Sequence, residues 1–233
     1  MSACCWVASH AGSVRDRNED AYLCRPEIGL FAVADGVGGC ASGGFASQEV
    51  MHALQSLPDD ITPASLLPAV RERLAEVHGR LLAASGPDGT MQAATTVIVL
   101  LLNGDHLACL WAGDSRAYLV RRGRLHCLTA DHSLVGEMLR AGTLTEIQAE
   151  RHPRANVITR AIGAAAEDRL VDKSTGFAEP GDRFLLCTDG LSRVIGPEEL
   201  AALVCGADPA EALVKAALAK KTKDNVTALV VLS

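Results

Sequence analysis

The chain has 233 residues, a length that fits one large domain or two small ones. Of these, 48% are hydrophobic but only 3% aromatic, so the chain can bury a sizeable core built mainly of Leu, Val, Ala and Ile. The net charge of −6 argues against nucleic acid or an anionic membrane as the main partner.

The eight cysteines form no Cys-x-x-Cys motif, and most lie in apolar, strand-like runs. A free cysteine in such a run behaves as a small hydrophobic residue. The N-terminal residues lack a signal-peptide pattern, and the longest apolar run, residues 97–102, is too short to span a bilayer. We therefore expect a cytoplasmic protein with reduced thiols and no membrane insertion.

The first third of the chain predicts three strands and then two helices. Ser42 is a candidate N-cap for a helix to about residue 57, and Thr62 for a helix over residues 63–85. Both helices carry apolar residues at three- and four-residue spacing, so we expect them to cover a sheet. The strands are predicted at residues 4–10, 21–24 and 30–35.

The middle of the chain has a β pattern with short turns. Asn103-Gly104 is a type I′ hairpin signal, and Asp114 lies in a second turn, so we interpret the segment as an antiparallel meander. Residues 131–163 are irregular and partly helical, which predicts an insertion over the sheet edge. The strands of the meander are predicted at residues 94–102, 107–112, 116–121 and 125–128.

The last third of the chain mixes strands and helices. We find no repeat, low-complexity tract or linker, so we expect one domain over residues 1–233, with many antiparallel strands in two packed sheets and helices outside. Strands are predicted at residues 170–177, 183–187 and 226–232, and helices at residues 197–204 and 209–220.

Four aspartates share one local pattern, because each lies at the end of an apolar strand or in a turn between strands. Any one of them alone is more simply a turn residue. If the folded sheets bring the four together with Glu19-Asp20, the carboxylates repel one another and require cations. Oxygen ligands suit Mg²⁺ or Mn²⁺ rather than zinc, and two such ions about 3.5–4 Å apart activate water for attack on phosphorus. The aspartates are Asp35, Asp114, Asp189 and Asp224.

Six short motifs occur in the order shown by metal-dependent protein phosphatases of type 2C, and the chain resembles that family from about residue 10 to residue 232. It looks most similar to the small, stand-alone bacterial members. The resemblance implies an α+β fold, with a central β-sandwich of two antiparallel sheets flanked by pairs of helices. The motifs are Arg15-x-x-Asn18-Glu19-Asp20, Ala34-Asp35-Gly36-x-Gly38-Gly39, Ala94-Thr95-Thr96, Gly113-Asp114-Ser115-Arg116, Thr188-Asp189-Gly190 and Asp224-Asn225.

The resemblance also implies a metal site of two Mn²⁺ or Mg²⁺ ions. By position, Asp35 would bridge both ions and Gly36 would give its carbonyl to one of them. Asp189 and Asp224 would ligate the other ion. Asp114 resembles the acid that helps Asp189 to hold a weaker third ion in bacterial relatives.

The resemblance also implies supporting roles for three residues that would not bind the two ions directly. Arg15 resembles the arginine that holds the phosphate, since its planar guanidinium suits two phosphate oxygens, although the residue alone would be a solvated turn cation. Glu19 and Asp20 resemble acceptors for metal-bound waters. Arg193 departs from the family pattern, because relatives often have an acid there and a cation would repel the third ion.

No obvious general acid is present, because Val37 and Cys40 stand where relatives have histidines. We expect metal-bound water to take that role. His132 is interpreted as a structural or flap residue rather than a catalytic one.

The sequence therefore predicts a metal-dependent phosphoserine/phosphothreonine protein phosphatase in which a metal-bridging hydroxide attacks phosphorus in line. The family implies that it opposes a bacterial Ser/Thr kinase, with phosphorylated proteins as partners, and we expect a monomer. Residues 131–163 would be a flap that helps to select the substrate. Two alternatives stay open: a pseudo-phosphatase that only binds, and a phosphatase of small phosphoesters or of a partner-switching phosphoprotein.

Overall fold

A computed structural model describes residues 4–37, 42–84, 93–145, 148–149, 152–164 and 169–233. The helices are α1 (Ser42–Gln55), α2 (Pro63–Ala84), α3 (Leu134–Arg140), α4 (Asp189–Ser192), α5 (Pro197–Val204) and α6 (Pro209–Ala219). The strands are β1 (Cys4–His10), β2 (Ala21–Arg25), β3 (Leu30–Ala34), β4 (Gly36–Val37), β5 (Ala94–Thr95), β6 (Val97–Asn103), β7 (His106–Ala112), β8 (Arg116–Arg121), β9 (Arg124–Cys127), β10 (Asp172–Phe177), β11 (Arg183–Cys187) and β12 (Val226–Leu232).

Two five-stranded antiparallel sheets form the centre of the fold. The N-terminal strand opens the first sheet, whose order is β1-β12-β11-β8-β9. The second sheet has the order β10-β7-β6-β3-β2, and β4 pairs with β5 in a small separate ribbon. Because neighbouring strands run in opposite directions, the end of one strand lies beside the start of the next.

Strand β3 shows why the predicted β segments are continuously apolar. Phe31 and Val33 pack between the two sheets, whereas Leu30, Ala32 and Ala34 pack under α1 and α2. Successive side chains point to opposite faces of a strand, so a strand covered on both faces needs no polar position. All five side chains are fully buried.

Helices cover the outer face of each sheet. α1 and α2 pack on the second sheet through residues such as Val50, Leu54 and Leu74. The short helix α4 and helices α5 and α6 pack on the first sheet, with Leu200 and Leu213 in contact with its apolar face. This is the predicted α+β sandwich between two helical layers, and the fold-class prediction is confirmed.

The prediction of one continuous meander is wrong at a single turn. Strand β7 lies in the second sheet and β8 in the first, so the two strands do not pair. The turn at Asp114 therefore carries the chain from one sheet to the other. Turn residues look alike in a hairpin and in such a crossing, because the local backbone does not show which strand will be the neighbour.

The prediction that all thiols are reduced is also contradicted. Cys5 on β1 and Cys24 on β2 form a disulfide between edge strands of the two sheets. The described free cysteines include Cys109 and Cys187, both buried as the apolar pattern predicts. The sequence could not indicate the bridge, because the pairing depends on how the two sheet edges meet.

Smaller differences concern short elements. The segment predicted as one strand over residues 94–102 is divided at Thr96 into β5 and β6, and β4 and α4 were not predicted. The three- and four-residue spacing of the helix over residues 63–85 predicts Leu82 on its apolar face, but Leu82 is 37% exposed. Ser85, at the predicted end of α2, lies outside the described residues. Within the described ranges, no helix combines the length and apolar character that crossing a bilayer requires.

The turn between β10 and β11 depends on a buried ion pair, which gives a first prediction. Asp182 is 2% exposed and accepts two hydrogen bonds from Arg121, at 2.8 and 2.6 Å, and one from the backbone N–H of Glu179. Burial acts to raise the pKa of Asp182, but these hydrogen bonds outweigh it and hold the pKa below its usual value. We expect Asp182→Asn to lower the free energy of unfolding by about 2 kcal/mol at pH 7.

The pH dependence follows from the lowered pKa of Asp182. The stabilisation is complete above the unfolded-state pKa of about 3.9 and is lost as the pH falls through the folded-state pKa. Urea denaturation of wild type and variant should therefore differ at pH 7, and the difference should begin to shrink below about pH 4. The control is Glu179→Gln, since the Glu179 carboxylate is 44% exposed and its change should cost under about 0.5 kcal/mol. A constant difference between wild type and Asp182→Asn from pH 7 to pH 3 would contradict this account.

Candidate active site

The four aspartates converge at one end of the sandwich, around a cavity of about 290 Å³. Asp35 follows β3 and Asp189 follows β11, whereas Asp224 precedes β12 and Asp114 lies between β7 and β8. In each sheet, antiparallel order places the end of one strand beside the start of the next. The stacking of the two sheets brings these strand ends to the same end of the sandwich. The described residues that line the cavity are Arg15, Glu19, Asp35, Gly36, Val37, Thr96, Asp114, Asn156, Ile158, Asp189, Arg193, Asp224 and Asn225.

Asp35 is held through its backbone. Its N–H donates to the hydroxyl of Thr96, and its carbonyl accepts from the Thr96 N–H and the Thr95 hydroxyl, each within 2.9–3.1 Å. The same Thr96 hydroxyl lies 2.8 Å from that of Ser115. These threonines therefore position the acid rather than act on a substrate.

The aspartates of the cavity repel one another. Burial and the charges of Asp20 and Asp189 hold the pKa of Asp35 well above its usual value. Burial and the charge of Asp114 raise the pKa of Asp189 to about 6. Burial also raises the pKa of Asp114, although Arg193 opposes this. Such shifts are typical of carboxylates that share a site made for a cation.

Asp20 lies behind the cavity rather than on its wall. One carboxylate oxygen accepts from the hydroxyls of Thr188 and Thr227, at 3.0 and 2.7 Å. The other oxygen is buried and has no hydrogen-bond partner among the described residues, and burial raises the pKa of Asp20 to about 7. A buried acceptor without a donor is costly, so it indicates a water or ion on that side.

Arginines hold three of the acids in place. Arg15 donates to both oxygens of Asp224, at 2.9 and 3.1 Å, and the pair is about half exposed. Arg193 pairs with Asp114 at 2.8 Å and with Asp189 at 3.0 Å. Among the described residues, no three His, Cys, Asp or Glu side chains are arranged to hold an ion between them. The acids converge as predicted, but guanidinium groups neutralise part of their charge.

The glycine after Asp35 is required by close packing against α1. A Cβ atom on Gly36 would lie 2.4 Å from the carbonyl carbon of Gly43 and 2.5 Å from its oxygen. The Gly36 N–H donates to the carbonyl of Glu19, which also accepts from Ser47. The backbone of β4 thus lies directly between the loop of Glu19 and the N-terminal end of α1.

The sequence motifs included Asn225 without giving it a role, and the structure shows one. Its amide donates to the carbonyls of Ala11 and Arg17, at 3.0 and 2.9 Å, and accepts from the N–H of Glu19 at 2.8 Å. Asn225 therefore fastens the loop that carries Arg15 to the start of β12. Asn156 and Ile158, on the predicted flap, were likewise not predicted to line the cavity.

The loop fastening gives a second prediction. Asn225 is only 5% exposed. Asn225→Ala would remove the hydrogen-bond partner of three backbone groups, the carbonyls of Ala11 and Arg17 and the N–H of Glu19. We expect a loss of about 3 kcal/mol in the free energy of unfolding and faster hydrogen exchange over residues 11–19. Unchanged exchange in that loop would show that Asn225 does not hold it.

His132 lies in the structural position predicted for it. It is 4% exposed, stacks on Trp111, accepts from the Gly113 N–H and lies 3.1 Å from Asp172. It thus steadies the turn that carries Asp114 and does not line the cavity. Gly38 and Gly39, which complete the motif after Asp35, lie outside the described residues, as does Cys40.

Comparison with known proteins supplies independent information. A family model described as protein phosphatase 2C matches residues 9–225. Protein phosphatase PhpP of Streptococcus pneumoniae is 35% identical over 236 residues, which cover 97% of this chain and 95% of that protein. PppA, described as a key regulatory component of T6SS in Pseudomonas aeruginosa, has a structure with a TM-score of 0.90 and 38% identity, covering 100% of this chain and 98% of PppA.

Serine/threonine protein phosphatase PstP of Mycobacterium tuberculosis is 35% identical over 227 residues. That match covers 95% of this chain but only 43% of PstP, so the chain spans less than half of that relative's length. The PstP catalytic domain, solved with two manganese ions, superposes with a TM-score of 0.87 at 32% identity, covering 99% of this chain and 97% of that domain. The resemblance inferred from the ordered motifs is confirmed: the chain belongs to the protein phosphatase 2C family.

Proposed function

We propose that the chain is a phosphoserine/phosphothreonine protein phosphatase that depends on two Mn²⁺ or Mg²⁺ ions. The observation that carries this proposal is the convergence of Asp35, Asp189 and Asp224 from distant parts of the chain onto one cavity. Membership of the family supports it, since the relatives PstP and PhpP are named as phosphatases.

The donor chemistry of the residues present fits divalent cations, and Asp224 would have to turn from Arg15 to bind one. Burial and mutual repulsion raise the pKa values of the cavity carboxylates, and one buried oxygen of Asp20 has no partner within the described part of the chain. All the candidate ligands are oxygens, which suit Mg²⁺ and Mn²⁺. Asp35, the Gly36 carbonyl, Asp189 and Asp224 would hold the ions, with Glu19 and Asp20 as acceptors for their waters.

When bound, the two cations supply Lewis acidity toward a phosphoryl oxygen and lower the pKa of a water to about 7. The protein contributes binding and orientation. Arg15 lies at the cavity mouth with 56% of its side chain exposed, so its guanidinium can turn from Asp224 to two phosphate oxygens. Asp20, held by Thr188 and Thr227, keeps one acceptor oxygen fixed behind the cavity.

The described cavity wall offers no free hydroxyl, thiol or imidazole as a nucleophile. Thr96 is the only hydroxyl-bearing residue among the described lining residues, and its hydroxyl already contacts the Asp35 N–H and Ser115. No described lining residue is a cysteine or histidine. This supports direct attack of water on phosphorus, with the bond to the serine or threonine oxygen breaking and no phosphoenzyme.

The physiological setting is part of the same proposal. We expect phosphorylated proteins as substrates, an opposing Ser/Thr kinase as partner, a monomeric state and a place in the cytoplasm. The chain would act as one domain over residues 1–233, with residues 131–163 as the flap beside the site. Asn156 and Ile158 on the cavity wall support that role for the flap.

The test is hydrolysis of a phosphothreonine peptide with added Mn²⁺, with chelator as the metal-free arm and Asp189→Asn as the variant. We expect turnover with Mn²⁺, none with chelator, and a loss of at least about 100-fold in the variant. No turnover with Mn²⁺ or Mg²⁺ would favour a binding module that keeps the fold only. Turnover of small esters but not of phosphopeptides would favour the second alternative, a phosphatase of small phosphoesters or of a partner-switching phosphoprotein.

A further inference from the structure

Arg193 joins three segments that are distant in the chain. Its guanidinium lies 2.8 Å from Asp114 and 3.0 Å from Asp189, and it also bonds the side-chain oxygen of Asn156. The carboxylates of Asp114 and Asp189 are only 8% and 17% exposed. A planar group with several donors thus bridges two poorly solvated acids and the flap.

The local fold fixes this position. Arg193 is the C-cap residue, directly after the last residue of the short helix α4. Its N–H donates to the carbonyl of Asp189 at 3.0 Å. Residues four apart on a helix lie on the same face, so the side chain returns to the carboxylate of Asp189. Asp114 reaches the same point from the turn that crosses between the sheets.

The charge around the cavity is matched to two divalent ions rather than three. Metal binding requires ionised ligands, and with all six carboxylates ionised the two guanidinium groups leave four negative charges, which two divalent cations neutralise. A third divalent ion would leave an excess of positive charge in a cavity that water screens poorly. The acids are Glu19, Asp20, Asp35, Asp114, Asp189 and Asp224, and the arginines are Arg15 and Arg193.

We propose that Arg193 is a positioning residue that takes the place of a third divalent cation. It holds Asp114 and Asp189 together and ties Asn156 of the flap to the site, whether or not the other ions are bound. This inference rests on the proposed two-ion function. The flap would therefore keep its position without metal, and the protein would bind two ions.

The first test counts bound Mn²⁺ by equilibrium dialysis with metal analysis. We expect two ions in the wild type and three in Arg193→Asp, because that change adds a carboxylate and removes a guanidinium. Arg154→Gln is the matched control, since Arg154 is an exposed arginine of the same flap, and it should bind two. Three ions in the wild type, or two in Arg193→Asp, would overturn the proposal.

The second test measures hydrogen exchange of the metal-free protein over residues 155–159. Arg193→Gln and Asn156→Ala should each raise the exchange rate about tenfold, whereas Arg154→Gln should leave it unchanged. Equal rates in all four proteins would overturn the tie between Arg193 and the flap.

The two tests separate this proposal from the function on which it rests. A wild type that binds no Mn²⁺ would remove the two-ion function and the ion count together. The exchange experiment contains no metal, so it still decides whether Arg193 holds the flap. The wild type could instead turn over normally with two ions, while Arg193→Asp also binds two and Arg193→Gln exchanges at the wild-type rate. That result would leave the phosphatase function intact and overturn this inference alone.

Discussion

Asp35→Asn is expected to reduce kcat by about 10³-fold or more in Mn²⁺ while the fold is kept. Burial and the repulsion of four other aspartates hold the pKa of this carboxylate well above its usual value. An amide of the same shape preserves the packing but gives up one negative charge and one strong ligand. Phosphothreonine-peptide turnover, measured over a range of Mn²⁺ concentrations, checks the result.

The stability of the same variant distinguishes a lost ligand from a damaged fold. A raised folded-state pKa means that ionised Asp35 opposes folding, and this cost grows as the pH rises above the unfolded-state value. The metal-free variant should therefore be at least as stable as wild type at pH 7, and Mn²⁺ should raise its Tm less. A variant that is inactive and also unfolds at lower temperature without metal would count against the account.

Gly36→Ala is expected to lose both stability and activity. The new methyl group would collide with the backbone of Gly43 at 2.4 Å, and backbone cannot rotate away as a side chain can. We expect a loss of about 3 kcal/mol in the free energy of unfolding as α1 is forced from β4. Displacement of the adjacent Asp35 should lower kcat/KM by about 100-fold.

Gly79→Ala is the matched control for that change. Gly79 lies within helix α2, and a Cβ there would meet nothing within 4 Å. Alanine favours a helix over glycine by about 1 kcal/mol, so this variant should be slightly more stable and fully active. If Gly36→Ala were as stable and active as Gly79→Ala, β4 and α1 could separate without cost, contrary to the structure.

The sequence was most informative where the pattern is local. The apolar run before Asp35 and the run before Asp189 each predict a buried strand that ends in an acid, and the structure contains both. The helical face with Val50 and Leu54 is buried as its spacing indicates. The alternation of side chains along a strand and their three- or four-residue spacing on a helix are set by the backbone of each element. These patterns can therefore be read without knowing which elements are neighbours.

The sequence was least informative about which segments meet. Strands β7 and β8 belong to different sheets, and Cys5 is bonded to Cys24. Both facts depend on how the two sheets stack, which the sequence of one segment does not indicate. The roles of Asn225 and Arg193 depend in the same way on loops that come together only after folding. The order of the motifs supplied the site because family resemblance carries long-range information that spacing does not.

A crystal structure with Mn²⁺, in which anomalous scattering locates the ions, would show whether the cavity holds a pair of cations. We predict two manganese peaks in the cavity among Asp35, Asp189 and Asp224, with Asp224 released from Arg15 and with Arg193 still on Asp114. A cavity without anomalous signal at saturating Mn²⁺, with Asp224 still paired to Arg15, would contradict this prediction.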